Sequence, residues 1–391
     1  MIDYSQILNP TVANMKPSGI RKFFDIAGTM KDVISLGVGE PDFPTPWQIR
    51  KAGIESLEQS HTRYTSNRGL ESLCRGITAY IERKYHLTYD SATEVLVTVG
   101  GSEAIDACIR AVVCPGDEVI IPQPSYVCYE PITQLAGGVP VIIETKAEND
   151  FKLTPEELRA AITPRTKALI LPYPCNPTGA IMEKEDLEAI AAVLRDTNIV
   201  IISDEIYAEL TFGGKPHVSI ASIDGMQERT LLVNGFSKTF SMTGWRLGYA
   251  CGPAELVRQI LKIHQYAIMC APTTSQYAAI EALRRCDADV ESMREEYDMR
   301  RRLIVNGFCE LGLTCREPKG AFYAFPCIKS SGLSSDEFCE KLLYAKHVAI
   351  VPGTAFGRGG EGFVRASYCY STEHIKEALK RIGEFLEEIK K

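Results

Sequence analysis

The sequence lacks the features of several broad classes of protein. Its net charge of -7 over 391 residues is unfavourable for binding a phosphate backbone, so we expect no nucleic-acid partner. No apolar run approaches the length of about eighteen residues that a membrane span needs. The opening segment MIDYSQILNPTVANMKPSG carries an acid and prolines where a secretory signal is continuously apolar. We therefore predict a cytoplasmic protein without membrane contact.

The short motifs of metal, disulfide and dinucleotide sites are also missing. The 13 cysteines include no C-x-x-C pair, which favours free thiols in a reducing compartment. The 6 histidines are scattered and no H-E-x-x-H occurs, so we predict no metal site. No G-x-G-x-x-G follows an early strand, and the GVG at 37–39 runs directly into Glu40. This pattern argues against a nicotinamide dehydrogenase.

One rhythm repeats between about residues 94 and 252: a short apolar run, a turn, and often a segment with helical periodicity. The seven runs are EVLVTVG, EVIIP, VPVIIE, KALILPYP, NIVIISDE, TLLVNGFS and LGYACG. Runs that do not alternate with polar residues are typical of strands buried on both faces, so we predict an α/β fold with a seven-stranded, mostly parallel sheet.

The character of the sequence changes after about residue 253. Long charged helical stretches are followed by the short strands GAFYAFP, HVAIVPG and GFVRASY. This order predicts a second, smaller α+β domain. We place the large domain at residues 45–285 and build the small domain from 1–44 together with 286–391.

Polar residues follow three of the predicted strands. Ligands of open α/β sheets bind at the carboxyl ends of the strands, so these residues are candidates for one site. Asp204, Glu205 and Tyr207 follow the fifth run, Ser237 and Lys238 the sixth, and Gly101 and Ser102 the first.

Each set could bind part of one ligand. Asp204 at the end of a buried strand needs a cationic or hydrogen-bonding partner, and a protonated pyridine nitrogen would serve. A partly desolvated Lys238 would have a lowered pKa and become a nucleophile. The glycine turn before Ser102 opens a helix whose free N–H groups suit a phosphate, with Arg246 as a further contact. Taken one at a time, such residues are more often helix caps or solvated side chains. The hypothesis of a ligand site depends on all of them occurring together.

Four segments resemble signature motifs of one enzyme family: VTVGGSEA, PYPCNPTGA, ISDEIYAEL and NGFSKTFSMTGWRLGY. They are similar to those of the class I/II aminotransferases of fold type I, which use pyridoxal 5'-phosphate. The resemblance spans the whole chain. The segments SGIRKFFDIAGTMKDVISLGVGEPDF and KGAFYAFP are similar to the aromatic-amino-acid aminotransferase branch. The resemblance implies the PLP-transferase fold and this cofactor.

The resemblance also assigns roles to residues that contact the cofactor. Lys238 is similar to the family's Schiff-base lysine, Asp204 to the partner of the ring nitrogen, and Tyr126 to the aromatic residue stacked on the ring. Tyr207 and Asn176 match the donors to the ring hydroxyl. The phosphate would contact Gly101, Ser102, Ser237 and Arg246. We expect Lys238, Asp204 and Tyr207 to be the catalytic residues.

Three further residues complete the predicted site. Arg365 in GFVRASY matches the arginine that binds the substrate α-carboxylate, and Gly39 would offer a backbone N–H to the same group, as Asn176 would from its side chain. Tyr64 resembles the tyrosine that reaches the phosphate of the neighbouring subunit, which implies a homodimer.

The chain departs from the family pattern at two positions. Gly235 stands where many relatives have a phosphate-binding serine, and Ser102 stands where aspartate-preferring relatives have a lysine. Arg21 is a candidate partner for a distal carboxylate, although it also fits the surface of an amphipathic helix.

The resemblance implies transfer of an amino group from an L-amino acid, aromatic donors favoured, to 2-oxoglutarate. Three alternatives stay open: an aspartate donor, an N-acetyl-diaminopimelate-type donor, and a carbon–sulfur lyase of the same fold.

Overall fold

A computed structural model describes residues 2–17, 19 and 30–390. Arg21 lies outside the described residues. The strands are β1 Ile34–Ser35, β2 Val95–Thr98, β3 Glu118–Gln123, β4 Val139–Glu144, β5 Thr166–Leu171, β6 Val200–Asp204, β7 Thr230–Gly235, β8 Gly248–Cys251, β9 Tyr323–Ala324, β10 Val348–Ala349, β11 Val351–Pro352 and β12 Val364–Ser367.

The α-helices are α1 Pro10–Asn14, α2 Trp47–Glu58, α3 Glu71–Tyr85, α4 Gly100–Val112, α5 Tyr129–Leu135, α6 Pro155–Ala161, α7 Lys184–Leu194, α8 Phe236–Thr239, α9 Ala254–Ala267, α10 Thr273–Arg285, α11 Asp287–Glu310, α12 Ser335–Lys346 and α13 Thr372–Ile389. Short 3-10 helices lie at Tyr4–Gln6, Ala147–Asn149, Ile220–Ser222, Gln227–Arg229, Thr243–Trp245, Lys329–Ser331, Gly353–Phe356 and Arg358–Gly360. No helix in the described part of the chain has the length and apolar character to cross a membrane.

The central sheet has seven strands in the order β2-β8-β7-β6-β5-β3-β4. Strand β8 is antiparallel to both of its neighbours, and the other neighbouring pairs are parallel. All seven apolar runs of the sequence form strands of this sheet. The predicted fold class, with a mostly parallel seven-stranded sheet, is confirmed.

Alternate residues of one strand pack on opposite faces of the sheet. In β2, Leu96 joins a buried cluster formed with α4 and α9, whereas Val95 and Val97 pack into the core on the other face. Because both faces are covered by apolar side chains, the strand is continuously apolar rather than alternating. Burial on both faces thus explains the sequence pattern.

The C-terminal part carries a separate antiparallel sheet in the order β11-β12-β9, and β1 pairs with β10 in a parallel two-stranded sheet. These strands come from the three short runs predicted after residue 253 and from a segment near the start of the chain. One buried cluster contains Ile34, Val97 and Phe338, so the core continues from the large sheet to this part. The domain boundaries at 45 and 285 stay a prediction.

Candidate active site

A cavity of about 300 Å³ lies at the carboxyl ends of β6 and β7. Its lining contains eleven of the twelve residues predicted for the site: Gly39, Gly101, Ser102, Tyr126, Asn176, Asp204, Tyr207, Ser237, Lys238, Arg246 and Arg365. Tyr64 does not line it and is 81% exposed. The fold therefore brings together residues that are spread over more than three hundred positions of the chain.

The sheet order explains this convergence. Strands β6 and β7 are parallel neighbours, with Asp204 of β6 opposite Val233 of β7. Lys238 lies in α8, which begins directly after β7 ends at Gly235. Strand β2 leads into the first turn of α4 at Gly100 on the same edge of the sheet. Parallel strands expose their carboxyl ends on one edge, so the residues that follow them meet.

Glycines allow the first turn of α4 to approach the rest of the site. A Cβ at Gly100, which has φ +80°, would lie 2.6 Å from Arg246 Nη2. A Cβ at Gly248 in β8 would lie 2.6 Å from the Gly100 carbonyl carbon. Larger residues would push the helix N-terminus away from the arginine. A Cβ at Gly235 would come within 3.0 Å of Gly248 and Ile206, so this position leaves little room for the serine that many proteins of the family it resembles have there.

Asp204 is a buried carboxylate held by two hydrogen bonds. It accepts from Tyr129 Oη at 2.7 Å and from the Ile206 backbone N–H at 3.2 Å. Burial raises the pKa of Asp204 above its usual value, and these two hydrogen bonds oppose the increase. No cationic side chain in the described part of the chain forms an ion pair with Asp204. The site therefore offers a carboxylate that a cation would compensate.

Lys238 is the amine that faces the same cavity. Its Nζ donates to the Gly39 carbonyl oxygen at 2.7 Å and lies 5.8 Å from the centre of the Phe322 ring. Burial lowers the pKa of Lys238 from 10.5 to about 8. A substantial fraction of this amine is therefore neutral near physiological pH, in the form that acts as a nucleophile or a base.

Arg365 is 3% exposed and lies between two aromatic rings. Its guanidinium carbon is 4.5 Å from the Tyr323 ring centre and 4.8 Å from that of Phe356. Nη1 donates to Asn176 Oδ1 at 2.9 Å, and Nη2 donates to the Gly37 carbonyl oxygen. Its buried Nε has no hydrogen-bond partner in the described parts of the chain. A buried arginine with an unused donor suits an anionic ligand.

Two tyrosines contribute to the site without having been predicted. Tyr129 donates to Asp204, as described above. The hydroxyl oxygens of Tyr323 and Tyr207 are 2.9 Å apart and form a hydrogen bond. Tyr323 also fills the space beside Gly39, where a Cβ would meet its hydroxyl oxygen at 1.9 Å. Both lie in segments that the family resemblance covers, PSYVCYEP and KGAFYAFP, but their roles depend on contacts that a motif does not display.

Comparison with known proteins agrees with this geometry. The family model described as aminotransferase class I and II matches residues 31–382. An aspartate aminotransferase of Pyrococcus abyssi is 47% identical over 96% of this chain and 97% of that protein. An aromatic-amino-acid aminotransferase of Thermococcus litoralis is 43% identical over 98% of this chain and 99% of that protein. The crystal structure of an aromatic aminotransferase from Pyrococcus horikoshii has a TM-score of 0.91 at 44% identity, covering 95% of this chain and 99% of that one. The predicted family is confirmed: the chain belongs to the class I and II aminotransferases and is an enzyme of the transaminase class.

Proposed function

We propose that the cavity holds pyridoxal 5'-phosphate and that the chain transfers an amino group from an L-amino acid, aromatic donors favoured, to 2-oxoglutarate. One observation carries the proposal: a lysine with a lowered pKa and a buried carboxylate without a described cation face the same cavity. They suit the aldehyde and the ring nitrogen of one heterocycle. When bound, the cofactor supplies the electron sink that allows the substrate α-carbon to lose a proton.

The residues around the cavity fit the other parts of this cofactor. The first turn of α4 offers the N–H groups of Gly101 and Ser102, with Arg246 beside the turn, to a phosphate. The ring hydroxyl would accept from Tyr207 and Asn176. Because Asn176 Oδ1 already accepts from Arg365, its Nδ2 group is the donor that remains.

Two more of the predicted contacts concern the ring and phosphate. Tyr126 lines the cavity and packs edge to face on Tyr129, with ring centres 5.8 Å apart, so its own ring is positioned to stack. Ser237, one residue before Lys238, is buried at the cavity wall and would give its hydroxyl to the phosphate. These roles rest on the family resemblance together with the placement of the side chains.

Lys238 and Arg365 would act on the substrate itself. Arg365 would bind the α-carboxylate, with the Gly39 N–H on the same group, and so orient the α-carbon toward Lys238. Lys238 Nζ, released from the Gly39 carbonyl oxygen, would take the proton from the α-carbon. A pKa of about 8 suits a base that works near neutral pH, because both protonation states are populated there.

The proposed preference for aromatic donors rests on the family resemblance. Within the described residues, the cations of the lining are Lys238, Arg246 and Arg365, and each already has a role with the cofactor or the α-carboxylate. Among the described lining residues, no further cation is available for a distal carboxylate, whether of an aspartate donor or of 2-oxoglutarate. The proposal of 2-oxoglutarate as acceptor rests on the family resemblance, and Arg21 stays a candidate for its distal carboxylate.

A panel of amino donors tests the reaction. The purified enzyme, loaded with pyridoxal 5'-phosphate, is given tyrosine, phenylalanine, aspartate, alanine, kynurenine or N-acetyl-diaminopimelate with 2-oxoglutarate, and glutamate formation is measured. We expect the aromatic donors to have the highest kcat/KM and Lys238→Ala to lose nearly all turnover. A preference for aspartate or N-acetyl-diaminopimelate would overturn the donor assignment. Continuous release of pyruvate or ammonia from one amino acid alone would identify a lyase instead.

We further propose that the enzyme is a homodimer in which Tyr64 reaches the neighbouring phosphate site. Tyr64 is exposed, but its loop is held in place: Thr273 Oγ1 donates to the Arg63 carbonyl oxygen at 2.8 Å, and Asn67 Nδ2 to that of Met269 at 2.7 Å. An exposed aromatic ring on a well-anchored loop suits a contact with a second copy.

Mixing two defective chains tests the shared site. Tyr64→Ala and Lys238→Ala are each expected to be impaired. In a mixed dimer one site would contain an intact Lys238 and the intact partner tyrosine. Random reassociation should then restore about a quarter of the active sites. A monomer in sedimentation, or a mixture no more active than its components, would contradict the proposal.

A further inference from the structure

The proposed phosphate site contains an acidic residue of its own. The first turn of α4 reads Gly100, Gly101, Ser102 and Glu103, so Glu103 directly follows the two residues proposed to bind phosphate. The free N–H groups and the dipole at a helix N-terminus attract any anion, including a carboxylate. A bare Glu103 would therefore compete with a phosphate and repel it.

Both oxygens of the Glu103 carboxylate are engaged away from solvent. Oε2 accepts from the Val99 backbone N–H at 2.5 Å, and Oε1 lies 2.6 Å from Nδ1 of His264 in α9. The Glu103 side chain is 14% exposed and that of His264 is 0% exposed. Helix α9 thus supplies a hydrogen-bond partner for an acid beside the phosphate-binding turn.

His264 is not a residue that packing alone would favour at this position. An ionised carboxylate only accepts hydrogen bonds, so Nδ1 carries the proton in this contact. The other ring nitrogen, Nε2, is buried and has no hydrogen-bond partner among residues 2–17, 19 and 30–390. The surrounding contacts between α4 and α9 are apolar, including Ala107 and Ile260. An unpaired buried nitrogen costs free energy, which an aliphatic side chain would avoid.

We propose that His264 is a positioning residue for the phosphate-binding turn. Its hydrogen bond holds the Glu103 carboxylate against Val99, which leaves the N–H groups of Gly101 and Ser102 to the phosphate. This inference rests on the proposed function, because the phosphate belongs to the proposed cofactor. It predicts that a change at His264 weakens binding of the phosphate group and leaves binding of the pyridine ring unchanged.

The test compares two ligands that differ only in the phosphate. The cofactor-free protein is titrated with pyridoxal 5'-phosphate and with pyridoxal, and absorbance gives the ratio of the two Kd values. We expect His264→Leu to lower the preference for the phosphorylated ligand about tenfold, because the Glu103 carboxylate then loses the hydrogen bond that holds it away from the phosphate-binding N–H groups. The double variant His264→Leu with Glu103→Gln should regain a preference within about threefold of wild type, since the charge is gone. His264→Gln, whose amide can donate to Glu103, should also keep it.

A second buried histidine provides the matched control. His217 Nε2 lies 2.8 Å from Glu205 Oε2, with side chains 7% and 1% exposed, and neither residue lines the cavity. His217→Leu breaks a comparable pair, so it should lower stability yet leave the ratio of the two Kd values unchanged. If His264→Leu does not fold, His264→Met carries the same prediction, because methionine adapts to irregular spaces.

The outcomes separate this inference from the proposed function. Wild-type protein that binds pyridoxal 5'-phosphate and transaminates, with an unchanged ratio in His264→Leu or His264→Met, would overturn the role of His264 alone. An equal change of the ratio in His217→Leu would also overturn it. Wild-type protein that does not bind the cofactor would overturn the proposed function instead.

Discussion

Replacing Lys238 by methionine should stabilise the cofactor-free protein at neutral pH. Methionine has a similar length and carries no charge, so it removes the cost of burying an ammonium group. The pKa of Lys238 is lowered from 10.5 to about 8, which corresponds to roughly 3 kcal/mol at pH 7. Loss of the 2.7 Å hydrogen bond to the Gly39 carbonyl oxygen offsets about 1 kcal/mol. We expect a net gain of about 2 kcal/mol.

The pH dependence of this gain is the sharper part of the prediction. Because the pKa of Lys238 is lower in the folded than in the unfolded protein, the folded wild type binds fewer protons between pH 8 and 10.5. Wild-type stability therefore rises with pH through this window, by about 2 kcal/mol between pH 7 and 9.5 relative to the methionine variant. The advantage of Lys238→Met should shrink accordingly.

Urea unfolding of the cofactor-free proteins, at one fixed protein concentration, measures the difference at both pH values. Lys380→Met on the exposed face of α13 is the matched control and should show little change at either pH. A stability difference for Lys238→Met that is the same at pH 7 and pH 9.5 would refute the reasoning, because it would mean that burial does not perturb the amine.

Three other substitutions test the site from different sides. Arg365→Lys keeps the charge but loses the planar pair of donors, so kcat/KM in steady-state assays should fall about 100-fold, mainly through KM; an unchanged KM would contradict carboxylate binding. Gly39→Ala should displace the Tyr323 hydroxyl, which lies 1.9 Å from the new Cβ, and lower kcat/KM at least about tenfold. Adding Tyr323→Phe removes the nearest contact but leaves ring carbons at 2.9 and 3.0 Å, so it should restore only part of that activity. An unchanged kcat/KM in Gly39→Ala itself would show that the clash has no effect. Tyr129→Phe removes a hydrogen-bond donor to Asp204 and should raise the pKa of this carboxyl further, so cofactor affinity measured by titration should fall more at pH 6 than at pH 8. An equal loss at both pH values would count against this effect.

The sheet could be predicted from the sequence because its strands are buried on both faces. EVIIP and KALILPYP are apolar without interruption, and such short runs between turns have few alternatives to a covered strand. The sequence predicted a mostly parallel sheet but did not show which strand is antiparallel. Nothing in the segment LGYACG indicates the direction of β8. That direction depends on the hydrogen bonds of β8 with β2 and β7.

The cavity residues could be named largely because their segments resemble family motifs. Position after a strand suggested Asp204 and Lys238 before any resemblance was used. Tyr323 shows where this reasoning ends: the segment KGAFYAFP was recognised, but the contact with Tyr207 joins residues 116 positions apart. His264 and Glu103 are likewise 161 positions apart, and neither belongs to a pattern that pairs them.

The sequence by itself determined the order of the strands along the chain, the residues that end them and the chemical groups available for catalysis, because these depend on local periodicity and residue type. Only the tertiary structure decided how those groups behave. The lowered pKa of Lys238, the raised pKa of Asp204 and the placement of Arg365 between two rings all result from burial by segments distant in the chain. Desolvation depends on what surrounds a charge in space, and that surrounding exists only once the chain has folded.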